Sequence, residues 1–530
     1  MECCFFSLFR LYLYLYKIEM GGAMEEANNT FDVIVIGAGN GGLVAALTLQ
    51  KKGKKVLLLE KGRVPGGFAS SFKRGHFEFD ASLHELCEYG TPENKGEVYY
   101  LFESLGLTDK ITMIPIQETF SIYTLDTHEQ YTMPVGKEAF LGQMEKYVPN
   151  STASMLHFFD LCEEVKQALA YLNETKGHPD TNVLMEKFPN FMVVAPYSVQ
   201  KVLEKIRMPI KAQEILTTYW SYLGSPAESL SFVHYASMIY SYITNAPVIP
   251  KNTSHEISLT LSEEFTNLGG KLEYLSPVKE ILIENGSVHG VITEDNRRFL
   301  TKHIIADISP HEVYTKLIDQ EKVPDKAKKF VSSRVLGARG LCVYLGLNKS
   351  MEELGLDRYS YFIYHTLNSN VEYKRMHNLY NGNLVATLQN NHEDTSIMCL
   401  TSLLFGDVFD QEVTEENYYE VKEKIAENMV RSFEEATHVN IHEAIEEIEI
   451  ATPVTFARYT NHPDGVIYGY LAQGYDNLLP RIMNEPNEMY IKNLHFCGGF
   501  GSRLSGYSSA YLNGEQEALK TFGEMKNDTI

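Results

Sequence analysis

At 530 residues with 44% apolar side chains, the chain is too long for one simple core and too apolar to be disordered. Its formal net charge of −22 excludes a general electrostatic attraction to nucleic acid or to anionic lipid headgroups. Seven cysteines without a C-x-x-C pair point to reduced thiols in a cytoplasmic compartment, and no metal-ligating spacing is present.

The first 23 residues read as lying outside the fold. They are apolar and aromatic, but Arg10 and Lys17 interrupt them, so no stretch approaches the roughly 20 residues that cross a bilayer. They lack the small-residue cleavage pattern of a signal peptide. Translation is expected to begin at Met24, with Gly21-Gly22 encoded by a ribosome-binding sequence, and residues 1–30 are expected to be an extension of the folded chain.

Residues 32–67 carry the parts of a dinucleotide-binding βαβ unit in order. Asp32 to Ile36 is an apolar run of strand length, leading into Gly37-Ala38-Gly39-Asn40-Gly41-Gly42, which satisfies G-x-G-x-x-G. Gly37 permits the tight turn, Gly39 lets the backbone approach a pyrophosphate, and Gly42 lets the next helix pack closely on its strand. The helix N-terminus, at residues 38–43, offers free N–H groups and a positive dipole end to the phosphates, with Gly41 in the same loop. Leu43 and Leu47 mark the apolar face of the helix, and Lys55 to Leu59 forms a second buried strand ending in Glu60. Glu60 lies about 20 residues beyond Gly37, the offset at which a carboxylate accepts hydrogen bonds from ribose hydroxyls, and it disfavours NADP.

Further along, helices are expected around Met155–Leu172 and Val199–Ile206, then at Ser258–Leu268, followed by strands around Ile281, Val288 and Ile304. A strand is expected at Leu341–Leu347 and an acidic helix with a solvated face at Thr414–Ala436. Between Phe188 and Ile249 lie Phe191, Tyr197, Tyr219-Trp220, Tyr222 and Tyr235 to Tyr242, a lining for a long hydrophobic tunnel or a membrane-facing mouth. The chain shows no second dinucleotide fingerprint. Electrons are therefore expected to exchange with a separate donor or acceptor such as a quinone or oxygen, or only internally in an isomerisation.

After Glu60 and Lys61 comes the run RVPGGFASSF, with the pair Gly66-Gly67 followed by Phe68 and Ala69. An acid followed closely by a glycine pair resembles the FAD-binding signature shared by amine oxidases and phytoene desaturase-like enzymes. FEFDASLH at 77–84, LGGKL at 268–272 with PVKEI at 277–281, IIADISP at 304–310, TPVTFARYTNHPDGVIYGY at 452–470 and NLHFCGGFGSRLSGYSSAYLNG at 493–514 narrow the resemblance to the desaturase branch, with its carotenoid desaturases, carotenoid isomerases and retinol saturases. The resemblance covers nearly the whole chain after residue 30. It implies an α/β fold: a Rossmann-like FAD-binding domain of residues 31–115, 250–310 and 486–526, with a discontinuous α+β substrate domain of residues 116–249 and 311–485.

The cofactor the resemblance implies is FAD, with Val278 over the adenine and Gly498, Gly499, Gly506 and Tyr507 along the flavin. The polar side chains it brings nearest the ring are His84, Tyr468, Arg503 and Tyr507, with His84 the first candidate for proton transfer because imidazole titrates near neutrality. Cys497 reads as a small buried residue rather than a covalent flavin attachment. Five positions depart from the family pattern: Gly499 stands where many relatives carry an acid, Ser82 for a glycine, Asn252-Thr253 for a glycine pair, and Phe68 for an arginine.

The activity implied is FAD-dependent oxidoreduction, desaturating or saturating C–C bonds of a long isoprenoid, carotenoid or retinoid-like lipid, with weak peripheral membrane association. The alternatives are a double-bond isomerase of a polyene or polyunsaturated fatty acid without net redox, and a flavin-containing lipid-binding protein that has lost catalysis.

Overall fold

The structure, a computed structural model, describes residues 29–82, 85–392, 394–474, 476–484 and 489–527. The expected translation start and the first candidate for proton transfer, His84, both lie outside the described residues.

Five short strands form an all-parallel sheet in the order Lys271–Glu273, Val56–Leu59, Val33–Ile36, Ile304–Ala306 and Leu494–Phe496. Every residue of Val33–Ile36 and Val56–Leu59 is buried, as a sheet covered on both faces requires. Alternation assigns the faces. Val33, Val35, Val56 and Leu58 pack with Leu43 and Leu47 of the helix Asn40–Lys51, Leu261 of Ser254–Asn267 and Tyr511 of the closing helix Tyr507–Asn527. Ile34, Ile36, Leu57 and Leu59 meet Ile281, Ile283 and Val291 of a three-stranded antiparallel sheet built from Val278–Glu284, Ser287–Thr293 and Arg298–Leu300.

A second, seven-stranded sheet runs in the order Ile445–Ala451, Arg339–Leu347, Thr395–Leu404, Leu384–His392, Ser360–Tyr364, Glu118–Thr124 and Gln130–Pro134. Its pairs are antiparallel except Ser360–Tyr364 against Glu118–Thr124, which are parallel. The helix Tyr418–Thr437 covers one face through Ile425, Met429 and Phe433, against Val343 and Leu345. A helical layer including Thr152–Glu174 and Phe232–Thr244 packs against Phe120, Ile122 and Phe362 on the other side.

Two helix starts differ from expectation for identifiable reasons. The helix expected from Ser258 begins at Ser254, whose N–H donates to the buried carboxyl of Asp80 at 2.8 Å. The acidic helix begins at Tyr418, because Thr414 and Asn417 close a turn on each other through Thr414 N–H to Asn417 Oδ1 (2.7 Å) and Asn417 N–H to Thr414 Oγ1 (3.4 Å). Among the described residues, no helix is long and apolar enough to cross a membrane.

The closing strand is tied to the closing helix by a buried histidine. His495 Nδ1 lies 3.2 Å from Glu517 and Nε2 lies 2.8 Å from Glu524. Burial alone would lower its pKa, but the hydrogen bonds and charges of Glu517 and Glu524 outweigh it and hold the imidazole above its ordinary value. A raised folded value means that the contribution to stability is full below the ordinary value and is lost as pH rises through the folded one. The melting temperature should therefore fall as pH rises above about 6.5. The check is a melting series against pH in which His495→Gln flattens that segment of the profile.

Candidate active site

The first strand ends at Gly37, whose φ of +96° is open to glycine at little cost, and the backbone turns directly into the helix Asn40–Lys51. A side chain at Gly42 would meet Gly37 O at 2.0 Å, so this glycine permits the close packing of helix on strand. Glu60, at the end of the second strand, accepts from Ala38 N–H at 2.8 Å and from Gly62 N–H at 2.6 Å. It thus fastens the glycine loop to the strand end. Glu60 also lines the cavity, whereas Ala38, whose N–H it accepts, is wholly buried off the cavity wall.

Gly42 departs from the expectation of a free N–H. Its N–H, at the start of the helix, donates at 2.8 Å to Oδ2 of Asp307 rather than remaining open for a phosphate. Asp307 follows the strand Ile304–Ala306 directly, and its carboxyl sits where side chains at Gly39, Gly41 and Gly498 would fall: 2.5, 3.0 and 1.9 Å from the positions their Cβ atoms would take. Burial, and then the charge of Glu60, push the Asp307 carboxyl up to about 7.

The glycine loop, the Gly66-Gly67 turn and the closing loop face one cavity of about 660 Å³. Gly37, Gly39, Gly41, Glu60, Lys61, Gly66, Gly67, Phe68, Ala69, Val278, Gly498, Gly499 and Gly506 all line it. Three stretches of glycine backbone converging on one cleft, with an acid at its end, fit an extended dinucleotide such as FAD. Gly67 in particular has only Gly39 Cα, at 3.6 Å, near the position a side chain would take. Phe68 packs on Phe456 and His462, with ring centroids 5.9 and 5.0 Å apart, so an aromatic cluster stands where the resemblance leads one to expect an arginine. Cys497 is buried, does not line the cavity and sits against Asp307, which with burial raises its thiol well above the ordinary value.

Of the side chains expected near the ring, Tyr468, Arg503 and Tyr507 also line the cavity. Burial raises both phenols, so they remain protonated at neutral pH. Tyr507 stands among Ser254, Tyr511 and Asp80. The Arg503 guanidinium is paired through one nitrogen: Nη1 donates to Glu97 at 2.6 Å, with Glu88 also close, while the buried Nε has no partner among the described residues. It is thereby a poor candidate for moving a proton. Asp307 and Glu85 are among the cavity-lining acids that the sequence does not single out. The signal for Asp307 was its place one residue beyond the return strand, level with Gly37.

Residues 35–99 match the family described as an NAD(P)-binding Rossmann-like domain. The chain is 24% identical over 537 residues to an all-trans-retinol 13,14-reductase of Danio rerio, covering 92% of this chain and 86% of that protein. It is 24% identical over 472 residues to a chloroplastic prolycopene isomerase of Daucus carota, covering 84% and 72%. The fold is similar to that of cyclohexylamine oxidase from Brevibacterium oxydans, at a TM-score of 0.60 and 16% identity over 94% of this chain and 99% of the other. Fold and site together define an FAD-dependent oxidoreductase with a Rossmann-like cofactor domain. Within that class the chain resembles phytoene desaturase-like enzymes, a resemblance that its likeness to the reductase and the isomerase supports.

Two substitutions test the cradle. Glu60→Gln keeps the size but replaces one acceptor by a donor facing a backbone N–H, so both the apoprotein and FAD binding should weaken, each by about 1–3 kcal/mol. Apoprotein melting beside FAD titration measures the two losses; unchanged values for both would remove Glu60 from the cradle. Asp307→Asn keeps an acceptor for Gly42 N–H and removes the charge. Because the folded carboxyl titrates above its ordinary value, wild-type stability should fall as pH rises from about 4 to about 7, and the variant should flatten that fall. The variant should also bind FAD about tenfold more tightly at pH 8, where the wild-type carboxylate opposes the pyrophosphate.

Proposed function

We propose that the protein saturates or desaturates a C–C bond of a long, apolar, unsaturated lipid of isoprenoid, carotenoid or retinoid type. One observation carries this reading: the cavity that holds the glycine loops continues, without a wall between, to Tyr222, Met238, Tyr242, Cys342, Ile467 and Tyr468. An elongated hydrocarbon is the ligand whose shape and polarity suit such a limb. Bound FAD would supply the two-electron chemistry at the substrate C–C bond. The protein's own residues hold the chain in place and exclude water, and the buried phenols of Tyr468 and Tyr507 stay protonated as hydrogen-bond donors beside the reacting region. With net redox, electrons exchange with a separate donor or acceptor.

A second reading, double-bond isomerisation without net redox, is favoured by the likeness to the prolycopene isomerase. For an apolar substrate, a route from a lipid surface suits the exposed Met185, Met192, Val193, Tyr197 and Ile210, which alternate along the chain with exposed Lys187, Lys201, Lys205 and Arg207.

Anaerobic incubation of the FAD-loaded protein with a panel of polyenes, following flavin absorbance and product mass together, tests the proposal. A product differing by two hydrogens, with a matching change in flavin absorbance, is the expected result. An unchanged mass with a moved or rotated double bond replaces it by isomerisation, and binding without conversion overturns both.

A further inference from the structure

The limb of the cavity that leads away from the glycine loops is not uniformly apolar. Its wall contains Glu85, Glu88 and His234 among the aromatic side chains. Glu85 is 7% exposed, and neither of its carboxyl oxygens has a hydrogen-bond partner among the described residues. The hydroxyls of Ser360 and Tyr219 lie near enough to favour its charged form, without reaching hydrogen-bond geometry, and Tyr219 already donates to the carbonyl of Thr119. The hydroxyl of Tyr359, also within reach of its charge, is without a partner as well.

Among the described residues, no free cation answers this acid. Arg503 is held by Glu97 with Glu88 beside it, and Lys166, which also lines the cavity, is exposed. Native structures rarely leave a buried carboxyl with both oxygens orphaned, because each unsatisfied group costs free energy that a partner would recover. In a ligand cavity, a bound ligand can supply that partner.

We propose that Glu85 is the recognition point for the polar end of the substrate, taking a neutral hydrogen-bonding head, above all a hydroxyl, and turning away a carboxylate. This rests on the polyene reading above and adds the chemistry of its head group. Burial pushes the Glu85 carboxyl up to about 7, so acid and carboxylate forms are both present near neutrality. A hydroxyl both donates and accepts, and so it satisfies Glu85 in either form. A carboxylate head accepts only; it requires Glu85 to be protonated and places another negative charge near Glu88 in a poorly solvated space. A pure hydrocarbon end leaves both oxygens as they are.

The test uses the FAD-loaded protein and three probes of one skeleton: all-trans-retinol, all-trans-retinoic acid, and the hydrocarbon with hydrogen in place of the hydroxyl. Trp220, the single tryptophan, is buried two residues from Tyr222 of the cavity wall, and its emission reports binding. The alcohol should bind about tenfold to hundredfold more tightly than the acid. Glu85→Gln, which still donates and accepts, should narrow that gap by strengthening the acid, and Glu85→Leu should favour the hydrocarbon over the alcohol.

The assignment is overturned if the wild type binds acid as tightly as alcohol, a comparison that needs no variant. It is also overturned if a Glu85→Gln protein that retains FAD and wild-type melting keeps the full preference. In both cases binding itself leaves the polyene reading standing, whereas failure of all three probes to bind removes that reading and the assignment with it.

Discussion

The hydrogen bond from Gly42 N–H to Asp307 joins the start of the first helix to the end of the return strand, two points 265 residues apart in the chain. Around that carboxyl the glycine loop and the closing loop come together, close enough that a side chain at Gly39, Gly41 or Gly498 would run into it. The carboxyl draws support from the positive end of the helix, while burial and the nearby Glu60 act against its charge. A cleft whose floor contains a buried acid is tuned as well as shaped: the field that an anionic ligand would meet there depends on the proton of that carboxyl.

The cleft and the lipid-sized limb form one space, and this explains why departures from the family pattern need not disturb cofactor binding. Asn252 and Thr253 serve the start of the helix Ser254–Asn267, where Asn252 Nδ2 donates to Glu256 at 3.1 Å and Thr253 is the capping residue. Neither lines the cavity. Phe68, Ser82 and Gly499 do line it, so those three are the departures that face the cavity. At Gly499 the nearest atom to a side-chain position is Ser505 Cβ at 3.4 Å, an ordinary contact, so the missing acid is not excluded by space.

The βαβ unit was legible in the sequence because its signals are local: runs of buried strand length, glycines at fixed spacing, and an acid one strand later. The same holds for the return strand and the closing segment, which lie beside the first strand in register, Ile34 against Ile304 and Ile304 against Leu494. The seven-stranded sheet was less legible, since Glu118–Thr124 finds its parallel partner only at Ser360–Tyr364, and spacing along the chain carries no trace of that pairing. Asp307 and Glu85 were passed over for a related reason. A carboxylate next to an apolar run looks like any strand-end acid until burial and a remote partner, or the lack of one, give it meaning. Arg503 lines the cavity, but its pairing with Glu97 is not legible in the sequence, because an ion pair across 406 positions has no signature there.

The order of strands in the parallel sheet also bears on how the protein is made. Val33–Ile36 and Val56–Leu59 leave the ribosome early, but the strand that pairs with the other edge of Val33–Ile36 begins at Ile304, and the next at Leu494. For more than half of synthesis the nascent chain therefore carries an unpaired, wholly apolar strand edge, the kind of surface that invites pairing with other chains. The cofactor domain can close only when the last segment arrives. A truncation before Leu494 would thus leave a sheet with a sticky flank as well as an incomplete site, and such a product should be lost to aggregation or proteolysis before its catalytic defect mattered.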